Sequence, residues 1–484
     1  MPASDKYDAV IGLEVHSRLN TRSKAFSTDA NSFGTGPNEN VSVISLGHPG
    51  SLPKINERIV EHAIKIGLAT HSRIAPALVF ARKNYFYSDL PKGYQISQHE
   101  SPICDGGHIA IRMPGGSKKI RLIRIHLEED AGKSLHEQQP DASLIDLNRA
   151  GVPLLEIVTE PDLSSGEEAQ ACLAEIRRLV RYLEIGDGNM EEGSLRCDAN
   201  VSVKKKTDAE LGTRTEIKNL NSISNVRRAI EYEIDRQIGI LEGGKKVSQQ
   251  TLGYDDQRNL TFPLRNKEEA EDYRYFPEPD LNPYRIQEEM ISRIRSELPS
   301  LPNERFEKFT AEMGLGAQDA ESLIESPAMA AYFSALAAEA EPRAAANWML
   351  GPVKSWMNEN RCDIKEFPVP VANLGKLLRI VSDGLISYTA AQQQLFPAMI
   401  SQPDRDPEIL AGEMDLMMET GRAAIMKQVI EALDKYPEKV LEYHKGKKGL
   451  LGLFVGEVMK SSKGKADPAL ASQMILEELQ KRKP

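Results

Sequence analysis

The chain has 484 residues, 40% of them hydrophobic and 27% charged, with a formal net charge of −10. That length exceeds a single hydrophobic core and implies two to four domains. No apolar run approaches the roughly 18 residues of a membrane span, and Met1 to Lys6 does not lead into a signal-type apolar stretch, which argues against membrane and secreted classes. Four scattered cysteines (Cys104, Cys172, Cys197, Cys362), with no Cys-x-x-Cys pair, suit free thiols in a reducing cytoplasm.

Residues 5 to about 160 carry short apolar runs broken by Gly, Pro, Asn and Asp. Ala9 to Val15, His108 to Met113 and Lys119 to Leu127 read as strands. Ser165 with Glu168 has the spacing of a capping box, and Cys172, Ile176, Leu179, Val180 and Leu183 form the apolar stripe of a helix behind it. Strand-like Leu195 to Val203 and Arg214 to Ile217 follow. A second amphipathic helix carries Val226, Ala229, Ile230, Ile234, Ile238 and Leu241 and stops at Gly243-Gly244. This pattern predicts an α+β domain, a large mixed sheet with helices on one face. From about residue 283 strand signals fade, and Pro302, Pro327, Pro342, Pro368, Pro403 and Pro437 punctuate short helices. A further boundary is expected near Ser401 to Asp404. From Lys445 onward nine lysines and arginines face four acids, a local basic excess that suits either a solvated helical face or a nucleic-acid contact.

Three acidic patches stand out: Glu14 with His16, Glu128 with Glu129, and Glu156, each set among aliphatic residues where a half-buried strand would exclude charge. Buried carboxylates need a partner, and a magnesium ion engaged in phosphate chemistry is an economical one. Taken singly, each Glu could instead pair with a base such as Arg124, Lys133 or Arg149; three patches together favour a site. Gly132-Lys133-Ser134 resembles the end of a P-loop, but Leu127 stands where that motif needs Gly. Cys172 and Cys197 read as core residues. Arg82 to Gln95 interleaves cations with Tyr85, Phe86, Tyr87 and Tyr94, which suits stacking on bases or an internally satisfied loop. The stretches Glu216 to Ser222 and Tyr273 to Asp280 add amides, acids and cations to a polar cleft.

At these residues the chain resembles a known family. Gly12 to His16, Arg82 to Gln98, His126 to Lys133, Asp146 to Asp162, Glu192 to Val203, Glu216 to Ser222 and Tyr273 to Leu281 are similar to the signature segments of the B subunits of bacterial tRNA-dependent amidotransferases. The likeness spans essentially the whole chain, and Gly449 to Met459 resembles the family's C-terminal tail. It implies a cradle domain over residues 1–292, an all-α domain over 293–405 and a small α-helical tail over 406–484. It implies that ATP phosphorylates the side-chain carboxylate of a Glu or Asp misacylated onto tRNA, and that ammonia displaces the phosphate. By this resemblance His16, Glu128 and Glu156 hold magnesium, while Lys83, Glu129 and Asp198 serve the acyl-phosphate pocket and the ammonia route. Glu14, Arg82, Tyr85, Asn200, Lys218 and Asn219 contact ATP, and Lys447, Lys448, Lys460, Lys463 and Lys465 lie against the tRNA. The implied partners are an amidase A subunit, a small C subunit and the misacylated tRNA, with no membrane contact. Many members bind zinc through four cysteines; Ser27, Asp29, Ser42 and Ser45 stand at those positions, so no zinc is expected.

Overall fold

Strand β1 (Tyr7–Arg18) shows how the first domain is laid out. Ile11, Leu13 and Val15 are buried on one face, and Glu14, His16 and Arg18 alternate onto the other. The same alternation runs through the strands beside it. β1 pairs antiparallel with β6 (Pro153–Thr159) on one side and with β7 (Leu195–Lys205) on the other. Outward from β6 comes β5 (Gly116–Glu129), which forms a hairpin with β4 (His108–Met113). Outward from β7 come β8 (Thr215–Leu220), then β9 (Gln250–Asp255) and β10 (Leu260–Asn266). Only the β8–β9 pair in this run is parallel, so the sheet is mixed. A smaller antiparallel sheet joins β2 (Ala81–Asn84), β3 (Tyr94–Ser97) and β11 (Phe276–Pro277).

Helices cover the apolar face. α1 (Glu57–Ala69), α2 (Gly166–Tyr182) and α3 (Ile223–Glu242) bring Ile59, Ile64, Leu173, Ile176, Val226 and Ile230 into one core with Leu13, Ile125, Ile157 and Val201. Each such side chain contributes roughly 1.5–3 kcal/mol when fully buried, and that fixes which face of the sheet turns inward. Asn56, Ser165 and Ser222 cap the three helices through their side chains. The expected capping box on α2 closes only halfway. The Ser165 hydroxyl accepts from Glu168 N at 3.1 Å, but the Glu168 carboxylate binds Ser164 N and Oγ, and Lys118, instead of the Ser165 backbone.

The computed structural model describes residues 6–135, 142–266, 272–418, 422–462 and 465–482. It divides into two compact units, Met1–Glu304 and Arg305–Pro484. The domain edge expected after residue 292 falls inside α4 (Glu288–Glu297), whose Ile291 and Ile294 belong to the first unit's core. The second unit is helical. Pro327, Pro342, Pro407, Pro437 and Pro468 each open a helix, where a missing N–H costs nothing. Its last part has a hydrophobic cluster of its own, with Ile425, Val429, Phe454, Val458, Met474 and Ile475 at its centre. Among the described residues no helix is long and apolar enough to cross a membrane. All four cysteines are free, and Cys172 and Cys197 are buried in the core.

Candidate functional site

The sheet register, not a loop, assembles the acidic patches. His16 lies opposite Glu156 on β6 and opposite Arg196 on β7; Glu156 lies opposite His126 on β5, with Glu128 two residues further along. Residues directly opposite in an antiparallel ladder share a face, so all five side chains meet on the side away from the helices. His16 Nε2 is 3.4 Å from Glu128 Oε1 and 3.4 Å from Glu156 Oε2. One ligand atom from each of His16, Glu128 and Glu156 can be chosen so that the three lie within 4.8 Å of one another. One imidazole and two carboxylates are a fitting donor set for a divalent cation.

The carboxylates lean on histidines instead of the arginine and lysine partners that the sequence offered. His126 Nε2 is 3.1 Å from Glu156 Oε2, and His126 Nδ1 is buried without a hydrogen-bond partner. Burial opposes protonation of His16, but its hydrogen bond to Glu156 and the charges of Glu156 and Glu128 outweigh it and raise its pKa to about 9. Burial and the neighbouring Glu156 push the Glu128 carboxyl upward. Burial would raise Glu156 as well, but His126 and His16 hold it well below the usual carboxylate range. The pair thus splits, as two carboxylates sharing one site must. Arg149 and Arg196 turn to Asp130, at 3.3 Å and 2.8 Å.

The polar face continues along β7 and β8. Asn200 Nδ2 donates to Glu14 Oε1 at 2.9 Å. Lys218 bridges Asp198 and Glu216, each at 2.8 Å; burial works against its charge, but the two acids keep its pKa above the ordinary lysine value. Asn219 belongs to β8, with its side chain outside the described residues. Across from β5, the small sheet and the segment before β11 form an aromatic wall. Lys83 Nζ sits 4.7 Å from the centre of the Tyr273 ring and 5.8 Å from that of Tyr85, and Tyr275 stacks on His99 at 4.0 Å. The Tyr85 hydroxyl lies 3.3 Å from Gln95 Oε1; burial, then the charge of Glu128, lifts its pKa above the usual phenol value.

Glu129 follows Glu128 in the strand and so points the other way. It forms an ion pair with Lys92 and accepts from Ile96 N at 2.9 Å, beside a cavity of about 270 Å³ that Arg82 also lines. Arg82 is engaged by acids of the protein on the wall of this cavity. Its guanidinium grips Glu278 at 2.7 and 2.8 Å and Asp280 at 3.0 Å, and lies 4.1 Å over the Tyr94 ring. Ser27 and Ser45 also line this cavity, and behind them Asp29 takes Ser42 N at 2.9 Å and the Ser45 hydroxyl, with Ser27 Oγ 3.4 Å from Ser45 Oγ. Burial would raise Asp29, but these hydroxyls and the Ser42 amide hold it below its ordinary value.

The C-terminal lysines are partly engaged: Lys447 pairs with Glu442 at 3.0 Å, Lys465 pairs with Asp415, and Lys448 lies 4.2 Å over the Tyr443 ring. Lys460 stands near Glu457, and Lys463 lies outside the described residues. Sequence reasoning missed His126 as a member of this cluster. Its signal was the two-residue spacing to Glu128, the same spacing that drew attention to Glu14 and His16.

A sheet with its helices on one side and an acid-rich, ligand-ready face on the other has the build of a catalytic cradle. A family model described as the GatB/GatE catalytic domain matches residues 9–292, and a GatB domain model matches residues 331–479. The B subunit of the aspartyl/glutamyl-tRNA(Asn/Gln) amidotransferase of Geotalea uraniireducens is 48% identical over 478 residues, 98% of this chain and 99% of the relative. The proteins of the same description from Pelodictyon phaeoclathratiforme and Salinibacter ruber are 48% and 45% identical, over 98% and 99% of this chain and 100% and 98% of the relatives. The chain belongs to the GatB family and is a component of a ligase-type tRNA amidotransferase.

Proposed function

We propose that this chain uses ATP to phosphorylate the side-chain carboxylate of Glu on tRNA(Gln), Asp on tRNA(Asn), or both, and then amidates the acyl phosphate. The ammonia comes from a partner amidase, with a small third protein in the complex. The observation that carries this reading is the meeting of His16, Glu128 and Glu156 on the open sheet face, beside the Lys83 and tyrosine wall. The names of the relatives supply the substrate class.

A free carboxylate does not accept ammonia, because oxide is a poor leaving group. In the first step a carboxylate oxygen attacks the terminal phosphorus of ATP, the bond from that phosphorus to the bridging oxygen breaks, and ADP leaves. In the second, ammonia attacks the acyl carbon, the carbon–oxygen bond to phosphate breaks, and a proton is shed from nitrogen. His16, Glu128 and Glu156 would hold a magnesium ion, which when bound supplies charge to offset the phosphate oxygens. Lys83 adds a cation on the wall facing Glu128. Glu14, Asn200 and Lys218 line the neighbouring face as nucleotide contacts, and Tyr85 offers its ring. Asp198, against Lys218 on the same face, can take the proton from ammonia, and Glu129, against Lys92 on the other face, would line the route by which ammonia arrives.

The test is transamidation by the chain co-expressed with its partner proteins, given Glu-tRNA(Gln), glutamine, magnesium and ATP. Gln-tRNA should form only with ATP, and Glu128→Gln and Glu156→Gln should each lower the rate by at least about 100-fold. Undiminished turnover in both variants would make the acidic patches structural. An intact complex that binds tRNA and yields no product would favour a scaffold role.

A further inference from the structure

Strand β5 shows Arg124, His126 and Glu128 at every second position, so the three side chains share one face. Register puts His126 opposite Glu156 and Arg124 opposite Val158, two pairs further along the same ladder. His126 and Glu128 are taken up by the acidic cluster. Arg124 is not. Its Nε is buried without a hydrogen-bond partner, and among the described residues no carboxylate makes an ion pair with it. The nearby carboxylates are already engaged, Glu128 and Glu156 by His16 and His126, and Asp105, opposite Arg124 on the next strand, by Arg73. Yet Arg124 shares its surroundings with them: the Tyr275 phenol feels Arg124 together with Glu128 and Glu156.

A half-buried guanidinium has lost part of its hydration and gains nothing until an anion arrives. Its planar fork of five donors matches two phosphate oxygens at once, which a lysine cannot do. Here the neighbouring carboxylates are engaged by other groups, and this cation stays open. We propose that Arg124 is a catalytic residue that binds the non-bridging oxygens of the phosphoryl group in transfer. This rests on the phosphorylation reading above. Arg124 neither gains nor loses a proton: as the carboxylate oxygen bonds to phosphorus and the bridging oxygen departs with ADP, its donors follow the oxygens whose charge is redistributed. In the second step the same donors hold the phosphate that ammonia displaces.

The test uses Arg124→Gln and Arg124→Lys in the full chain, within the complex of partner proteins, with melting temperatures compared first. Calorimetry in magnesium buffer then follows ADP alone and ADP with aluminium fluoride, which imitates the phosphoryl group in flight. Arg124→Gln should keep ADP affinity within about twofold while losing about 100-fold for the fluoride complex, with Lys recovering part of the loss. Phosphate release should fall in kcat with little change in KM for the aminoacyl-tRNA. Equal binding of the fluoride complex by wild type and Arg124→Gln would overturn the proposal. So would an equal loss for ADP and its fluoride complex, or a rise confined to the KM for tRNA, which would make Arg124 a contact to the tRNA backbone. A wild-type complex that binds neither probe would overturn the phosphorylation reading itself, and that failure shows in the wild type, not in the variant.

Discussion

Two carboxylates and two imidazoles meeting away from bulk water leave little freedom in how charge is shared. Glu156 lies between His16 and His126, which hold its carboxyl below the usual range, while burial and the charge of Glu156 push Glu128 upward. A divalent cation would ease the same conflict by adding positive charge between the two carboxylates, which is why the donor geometry matters more than any single acid. A different histidine exposes the folding side of the same electrostatics. His62 on α1 is buried among apolar residues with Nδ1 unpartnered; burial first, then Arg58 and Lys65, lower its pKa from 6.5 to about 4. The folded state therefore prefers neutral imidazole. Above pH 6.5 both states are neutral and stability is intact. As pH falls from 6.5 towards 4, the unfolded chain binds a proton that the folded chain refuses, and stability drops by about 1.4 kcal/mol per pH unit at most. Urea midpoints measured across that window should flatten in His62→Leu relative to wild type; identical slopes would contradict the assignment.

Among the elements, those with a strong period were legible in the sequence. The stripe from Cys172 to Leu183 gave α2, the run from His108 to Met113 is a strand as read, and Gly243-Gly244 ends α3. Replacing Ile176, which is fully buried in the main core, with Ala should cost about 2–5 kcal/mol in urea unfolding; a cost under 1 kcal/mol would mean that α2 is not a keystone of that core. Other elements left no local trace. α1 went unread because its stretch lies behind a long loop and mixes Glu, His and Lys into the apolar face. β9 and β10 are short and carry Gly253 and Pro263, which weaken a strand signal; they are strands because β8 offers an edge. The residues of the candidate site drew attention in the sequence, Glu14 and His16 by their two-residue spacing, Glu128 and Glu156 as acids set among aliphatic residues. Their pairing was not legible. That His126 would support Glu156, and that Arg82 would be consumed by Glu278, depends on register between strands far apart in the chain.

Across the whole molecule, the acidic net charge coexists with a basic C-terminal end, which belongs to the second compact unit. The lysines of that end are less available than their number suggests, because Lys447 and Lys465 are paired with acids. The last helices nonetheless carry a core of their own. A chain ending at residue 418 should therefore retain the melting transition of the first unit while the KM for aminoacyl-tRNA rises about tenfold or more, the scale of a few lost phosphate contacts. Loss of the first transition would show that the tail is needed for folding, and an unchanged KM would remove it from tRNA binding. The function proposed above turns on whether the open sheet face holds a metal at all. Manganese(II), whose spin resonance signal is lost on binding, reports this directly when titrated into the complex with ADP present. Wild type should bind one ion per chain at the nucleotide site, and Glu128→Gln and Glu156→Gln should weaken it by at least about tenfold with unchanged melting temperatures. Equal binding by wild type and both variants would place the metal elsewhere and reduce His16, Glu128 and Glu156 to a buried ion-pair cluster.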